Sequence, residues 1–118
     1  MTVQRGEVYL ARFPHAAGGR GKKRPVVVVQ SDAYNQSPRH VIVAEVTTNL
    51  AVSADPTSLL IEVTTPDGQA TGLAQDSVIT CLHLGTMSAD RLGQAIGKLS
   101  PVLLQRLGSC LQAALGLP

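Results

Sequence analysis

Two groups of residues in this 118-residue chain could act on a phosphate polymer. The first is a cluster of cations, Arg20, Lys22, Lys23 and Arg24, which runs directly into Pro25 and four consecutive valines at 26–29. Proline fixes its own φ and disfavours helical φ/ψ in the residue before it, so Arg24 is expected extended at the mouth of a strand. Four β-branched residues without polar alternation read as a strand buried on both faces. A permanently charged guanidinium is thereby anchored at the rim of a rigid core, where its planar fork suits phosphate oxygens. The second group is Thr47 and Thr48, at the end of another β-branched run that starts at His40 or Val41. On composition alone, β-propensity suffices to explain the threonines, and a strand-flanking surface position suffices for Arg24.

Other chemistries find less support. His15, His40 and His83 fall in separate elements, and Cys81 with His83 supplies at most two ligands on one strand face, so no metal site and no cofactor are expected. Gly18, Gly19, Arg20 and Gly21 precede a strand rather than a helix, which is wrong for a dinucleotide cradle, and no G-x-S-x-G elbow or Walker loop is present. Cys81 and Cys110 form neither a C-x-x-C pair nor a secreted disulfide framework. No apolar run approaches the ~20 residues of a membrane-spanning helix, and the first six residues lack the apolar core of a signal peptide. A soluble, reduced, cytoplasmic protein without membrane contact is expected.

The elements that must hold these residues follow from pattern. Residues 1–118 are read as one domain, long enough to bury roughly 65% of its unfolded surface. With aromatics at 3%, aliphatic side chains must build the core, and base-stacking platforms of several aromatics are poorly supplied. Residues 1–40 carry seven basic and two acidic side chains, a balance of +5; residues 41–118 carry three and six, a balance of −3. Strands are expected at 7–13, 25–30, 40–47, 59–64, 77–84 and 94–99, with a cap and short helical turn at Ser31, a turn at Pro66-Asp67-Gly68, and one helical turn from Ser88. The glycine- and alanine-rich stretch 15–23 reads as a surface loop. The chain ends in a helix with Ser100 as N-cap and Pro101 in its first position. Leu103, Leu107, Cys110, Leu111 and Ala114 share one face, with Leu104 and Leu115 on its flank. Short strands, one capping helix and no β-α-β rhythm predict a small, mostly antiparallel barrel of SH3-like type.

Five segments, in order and spacing, resemble the MazF/PemK toxins of type II toxin–antitoxin systems: Arg5-Gly-Glu-Val-Tyr9, Lys23-Arg-Pro-Val-Val-Val-Val-Gln-Ser-Asp32, Val41-Ile-Val-Ala-Glu-Val-Thr47, Asp76-Ser-Val-Ile79 and Ile96-Gly-Lys-Leu-Ser100. The resemblance runs from Arg5 through the terminal helix. It implies a homodimeric, metal-independent endoribonuclease that cuts single-stranded RNA and is restrained by a cognate antitoxin, an acidic and partly disordered peptide. It matches the family's catalytic arginine to Arg24 and its catalytic threonine to Thr47. Thr48 points the other way along a strand and is expected to contact RNA rather than share that role. Gly18, Gly19, Arg20, Lys22, Lys23 and His83 complete the expected RNA-binding set.

The sequence departs from the family pattern in two places. Gly18-Gly19-Arg20 stands where relatives often have a Gly-Ser-Glu type of segment, and His83 and Gly85 stand where they often have Gln and Arg. His83 can act in acid–base chemistry or in RNA contact, because imidazole titrates near neutral pH. Two other readings of the barrel compete with the nuclease: a CcdB-type toxin that poisons gyrase by protein binding, and a nucleic-acid binder without activity. The Arg24 and Thr47 pairing favours the nuclease.

Overall fold

The computed structural model describes residues 2–12 and 23–118. Six strands, β1 (Glu7–Ala11), β2 (Arg24–Val28), β3 (His40–Thr47), β4 (Ser58–Ile61), β5 (Ser77–Ser88) and β6 (Leu92–Lys98), form one antiparallel sheet in the order β4-β5-β3-β2-β1-β6. The edges β4 and β6 share no strand pairing. Helix α1 (Pro66–Ala70) and the turn after it fill the gap instead. A Cβ on Gly97 of β6 would lie 2.4 Å from the carbonyl oxygens of Ala70 and Thr71, so the backbones there touch directly. The expected SH3-like barrel is therefore a rolled sheet closed by a helix and turn.

The inner strands bury residues on both faces, whereas the edge strand β6 buries only Leu92. Val8, Val27, Val29, Ala44, Val46, Leu59, Ile79 and Cys81 form one core with Leu103, Leu107 and Cys110 of helix α2 (Pro101–Leu115). Tyr9, Ala11, Val26, Val28, Val41, Val43 and Met87 form a second core on the opposite face, which Val3, Ala89 and Leu92 cover. The four valines after Pro25 alternate between these two cores, as their lack of polar alternation predicts. Ser100 caps α2 by accepting the Leu103 backbone N–H at 3.2 Å, and Gly116 ends the helix in the left-handed region at φ 67°. Leu115, expected on the flank of the apolar face, is 57% exposed.

Local chemistry explains where elements depart from expectation. Pro66-Asp67-Gly68 opens a helix rather than a simple turn, because Thr65 acts as N-cap and accepts the Gly68 N–H at 3.0 Å, while Pro66 holds a helical φ. Strand β5 extends four residues beyond the expected Leu84, since it pairs with β3 as far as His40↔Ser88.

The segments that carry the resemblance form much of the scaffold. Arg5 donates its backbone N–H to Asp32 Oδ1 at 2.7 Å and its Nε–H to the Val29 carbonyl at 3.2 Å, joining two of those segments. Gly6 takes φ 95°, which glycine adopts without strain. Glu7 accepts the Tyr9 hydroxyl at 3.1 Å. Gln30 accepts the Ile42 N–H and donates to Asn35, Tyr34 and His40, tying the Ser31-capped 3-10 turn Asp32–Tyr34 to β3.

Candidate active site

Strands β2 and β3 both change character at the same end of the second core. Along one face of β3, Val41 and Val43 are buried, and Glu45 and Thr47 are half-buried. On β2 the same face runs from buried Val28 and Val26 to exposed Arg24. The register pairs Val28 with Val43, Val27 with Ala44 and Val26 with Glu45. Continued two residues along each strand, it sets Arg24 opposite Thr47 on the same face. Pairing to β3 begins just after Pro25, which has no N–H to donate, while Arg24 is still held by β1 opposite Ala11.

Two turns after Thr47 build the wall of a groove. The Thr47 hydroxyl oxygen accepts the Asn49 backbone N–H at 3.1 Å, and Asn49 Oδ1 accepts the Ala51 N–H at 3.1 Å, capping the 3-10 turn Leu50–Val52. With its oxygen used in this way, Thr47 keeps its O–H free to donate. Further on, Asp55 Oδ1 accepts both the hydroxyl and the backbone N–H of Thr57. Those bonds, the hydroxyl's first, hold the Asp55 carboxyl below its ordinary pKa. The groove encloses about 750 Å³ between this wall and the sheet, with Glu45, Thr47, Thr80 and His83 on one side and Val52, Asp55 and Pro56 on the other.

A break in β5 supplies its rim. Glu45 pairs with Thr80, yet Ala44 pairs with Leu84, so Cys81, Leu82 and His83 are extra residues on β5. Cys81 stays in line with β4, its N–H donating to the Thr57 carbonyl at 3.0 Å, and its side chain is buried. Leu82 is 62% exposed. His83 turns to bring Nδ1 within 3.5 Å of Glu45 Oε2. The expectation that Cys81 and His83 share one strand face is thus corrected, because the bulge breaks the two-residue alternation between them.

The expected site residues are therefore only partly assembled. Thr47 and His83 both line the groove, and Arg24 is exposed at the start of β2, outside that lining. Lys23 and Thr48 are exposed nearby, outside the lining of the groove. Gly18, Gly19, Arg20 and Lys22 lie outside the described residues. Glu45 escapes sequence reasoning, since a lone acid in a β-branched run shows nothing until its cross-strand neighbour is known. Among the described residues, no Lys or Arg lines the groove, and no group of three or more His, Cys, Asp or Glu is placed to hold a metal ion. Burial, then the nearby Cys110, pushes the Cys81 thiol up to about 11, and burial raises Cys110 as well, so neither is a ready thiolate.

Comparison with known proteins gives a consistent picture. Residues 4–115 match the family model described as PemK-like, MazF-like toxin of type II toxin–antitoxin system. The chain is 33% identical over 119 residues to Endoribonuclease MazF2 of Mycobacterium bovis, covering 99% of this chain and 100% of that protein. It is 32% identical over 118 residues to Endoribonuclease EndoA of Bacillus subtilis, covering 99% and 97%. Among solved structures, a mycobacterial endoribonuclease in complex with its cognate antitoxin superposes with a TM-score of 0.76 at 24% identity, over 98% of this chain and 97% of that one. At that identity the superposition shows the fold.

Proposed function

The chain belongs to the PemK-like, MazF-like toxins; it is the endoribonuclease toxin of a type II toxin–antitoxin system, and we propose that it cuts single-stranded RNA through Arg24 and Thr47 without a metal ion. The observation that supports the assignment of residues is the β2–β3 register, which ends at Val26↔Glu45 and, extended two residues along each strand, brings Arg24 opposite Thr47.

In this reading the ribose 2′-hydroxyl loses its proton as its oxygen attacks the adjacent phosphorus, the bond to the leaving 5′-oxygen breaks, and that oxygen takes up a proton, so the exchange balances without water. The products are a 2′,3′-cyclic phosphate and a 5′-hydroxyl end, and DNA, lacking the 2′-OH, is not cut. Negative charge develops on the non-bridging phosphate oxygens, and fixed donors aimed at them lower the barrier. Arg24 offers two parallel N–H donors and a charge that persists at any working pH. Its β-ladder pairing with Ala11 and the adjacent Pro25 restrict its backbone before substrate arrives. Thr47 donates its hydroxyl hydrogen, oriented by the Asn49 N–H on its oxygen. Arg24 is a poor equilibrium base for the same reason that it is a good electrostatic partner.

The same cations invite the partner that silences the enzyme. The antitoxin is read as an acidic, partly disordered peptide competing with RNA for Arg24 and Lys23, and the working toxin as a homodimer in the cytoplasm. The mycobacterial relative solved in complex with its cognate antitoxin supports an antitoxin as the partner.

The test is direct. Purified protein is incubated with varied single-stranded RNA in EDTA beside Arg24→Ala and Thr47→Ala. Cleavage by the parent, leaving cyclic-phosphate ends and slowed about 100-fold or more in both variants, is expected. Absence of cleavage by the parent would overturn the reading.

A further inference from the structure

The groove beside Thr47 has the wrong charge for an RNA backbone. Its lining contains two carboxylates, Glu45 and Asp55, and among the described residues no Lys or Arg. The cations Lys23 and Arg24 stand on β2 and the residue before it, to the other side of Thr47 in the sheet. Phosphates are drawn to β2 and repelled from the groove, so a chain threading past Thr47 turns its backbone one way and its bases the other. The groove, at about 750 Å³, falls within the ~300–1,000 Å³ of small-molecule pockets. Its apolar wall of Ala51, Val52 and Pro56 suits a flat ring, and the bulge raises Leu82 and His83 at its rim.

The two acids differ in exposure. Asp55 is exposed, so water satisfies the oxygen that Thr57 leaves free. Glu45 is only 22% exposed, and the His83 ring nitrogen Nδ1 lies 3.5 Å from its Oε2. Its other oxygen is an acceptor at the groove without a protein donor among the described residues. A half-buried carboxylate in that state selects a ligand that brings an N–H and rejects one that brings a carbonyl.

We propose that this groove reads one unstacked base next to the scissile phosphate, Glu45 accepting a hydrogen bond from the base's exocyclic amino group while His83 stacks on its face. Cytosine, adenine and guanine carry such a group at the edge of the ring; uracil offers only its N3–H, flanked on both sides by carbonyl oxygens that a carboxylate repels, so the groove discriminates against uracil at that position. The inference rests on the endoribonuclease reading above, and adds to it the residue that sets base preference.

Two measurements on the parent, Glu45→Gln, Glu45→Ala and His83→Ala separate this inference from that reading. In the first, a long mixed-sequence RNA is cut and the new 5′-hydroxyl ends are mapped. In the second, each protein selects sequences from a pool of 2′-O-methyl oligonucleotides, which bind but cannot be cut. The parent should disfavour uracil at one position by roughly ten- to a hundredfold. Glu45→Gln should admit uracil there, because its amide adds a donor for the O4 carbonyl; Glu45→Ala should level the four bases by weakening use of the amino-bearing three, with no rise in the absolute rate at uracil. His83→Ala should weaken use of all four bases by roughly tenfold while keeping their order. Unchanged base frequencies in both Glu45 variants would overturn the inference even with cleavage intact. A parent that cuts nothing yet selects amino-bearing bases in the pool would sustain it and overturn the nuclease reading instead.

Discussion

The Thr47 hydroxyl oxygen accepts the Asn49 backbone N–H at 3.1 Å, so the side chain at the end of β3 is oriented before any substrate arrives. A threonine free to rotate would lose side-chain entropy on meeting a phosphate; here the chain's own turn has already fixed it. Removing the hydroxyl should cost kcat/KM about 100- to 1,000-fold, the range for one donor to a developing anion. Thr47→Ser should recover most of the rate and Thr47→Val should not. Cleavage kinetics on a single RNA check this, with thermal melts to confirm that the variants are folded.

Arg24 and Lys23 are adjacent cations to which the proposed mechanism gives different roles. Arg24→Lys keeps the charge but loses the bidentate fork, so kcat should fall with little change in the salt dependence of binding. Lys23→Ala should leave kcat nearly unchanged and flatten the slope of log affinity against log salt by about 0.7, as expected when one phosphate on a single strand is no longer neutralised. Equal effects of the two substitutions on kcat would contradict the division.

Two glycines should respond to alanine with opposite sign. At Gly97 a Cβ would meet backbone atoms of Ala70 and Thr71 at 2.4 Å, where α1 and its following turn close the sheet. Gly97→Ala should cost about 1–3 kcal/mol or more, lowering the melting temperature by roughly 4–12 °C. At Gly108 of α2 the nearest atom to a new Cβ is Arg5 Nη2 at 3.8 Å, an ordinary van der Waals distance. Gly108→Ala should therefore stabilise the helix, by up to about 1 kcal/mol. Differential scanning calorimetry reads both.

Tyr9 should make the fold sensitive to alkali. Burial, then the hydrogen bond and charge of Glu7, push its phenol from an ordinary 10.0 up to about 12. Ionisation is thus harder in the folded chain than in the unfolded one. The stability this contributes is fully present below pH 10 and is lost as pH rises through about 12. Tyr9→Phe should flatten that part of the stability profile. Denaturant titrations across the range test it, using a Tyr34→Phe background so that the tyrosinate absorbance reports Tyr9 alone.

Much of the scaffold is legible before folding because its signals are local. Pro25 and the valines after it announce an extended Arg24 and a strand buried on both faces. Ser100 and Pro101 announce the start of α2, and Ser31 its 3-10 turn. Thr65 carries a cap signal of the same kind, yet the helix it opens reads as a turn in the sequence because the glycine at 68 looks like punctuation. Arg24 and Thr47 come from the family resemblance, and their chemistry is readable from side-chain type.

What tertiary structure decided lies across strands. Nothing near His83 in the chain shows that β5 carries extra residues there, since a bulge is defined only against the register of a partner. Nor does the sequence around Glu45 show that an imidazole will stand 3.5 Å away. The division of the site into a cationic side on β2 and an acid-lined groove beyond Thr47 likewise depends on strand order, in which β5 neighbours β3 and β2 lies on its other side. Residue types and short spacings determine which groups can do chemistry; the non-local pairing of β2, β3 and β5 determines which of them meet.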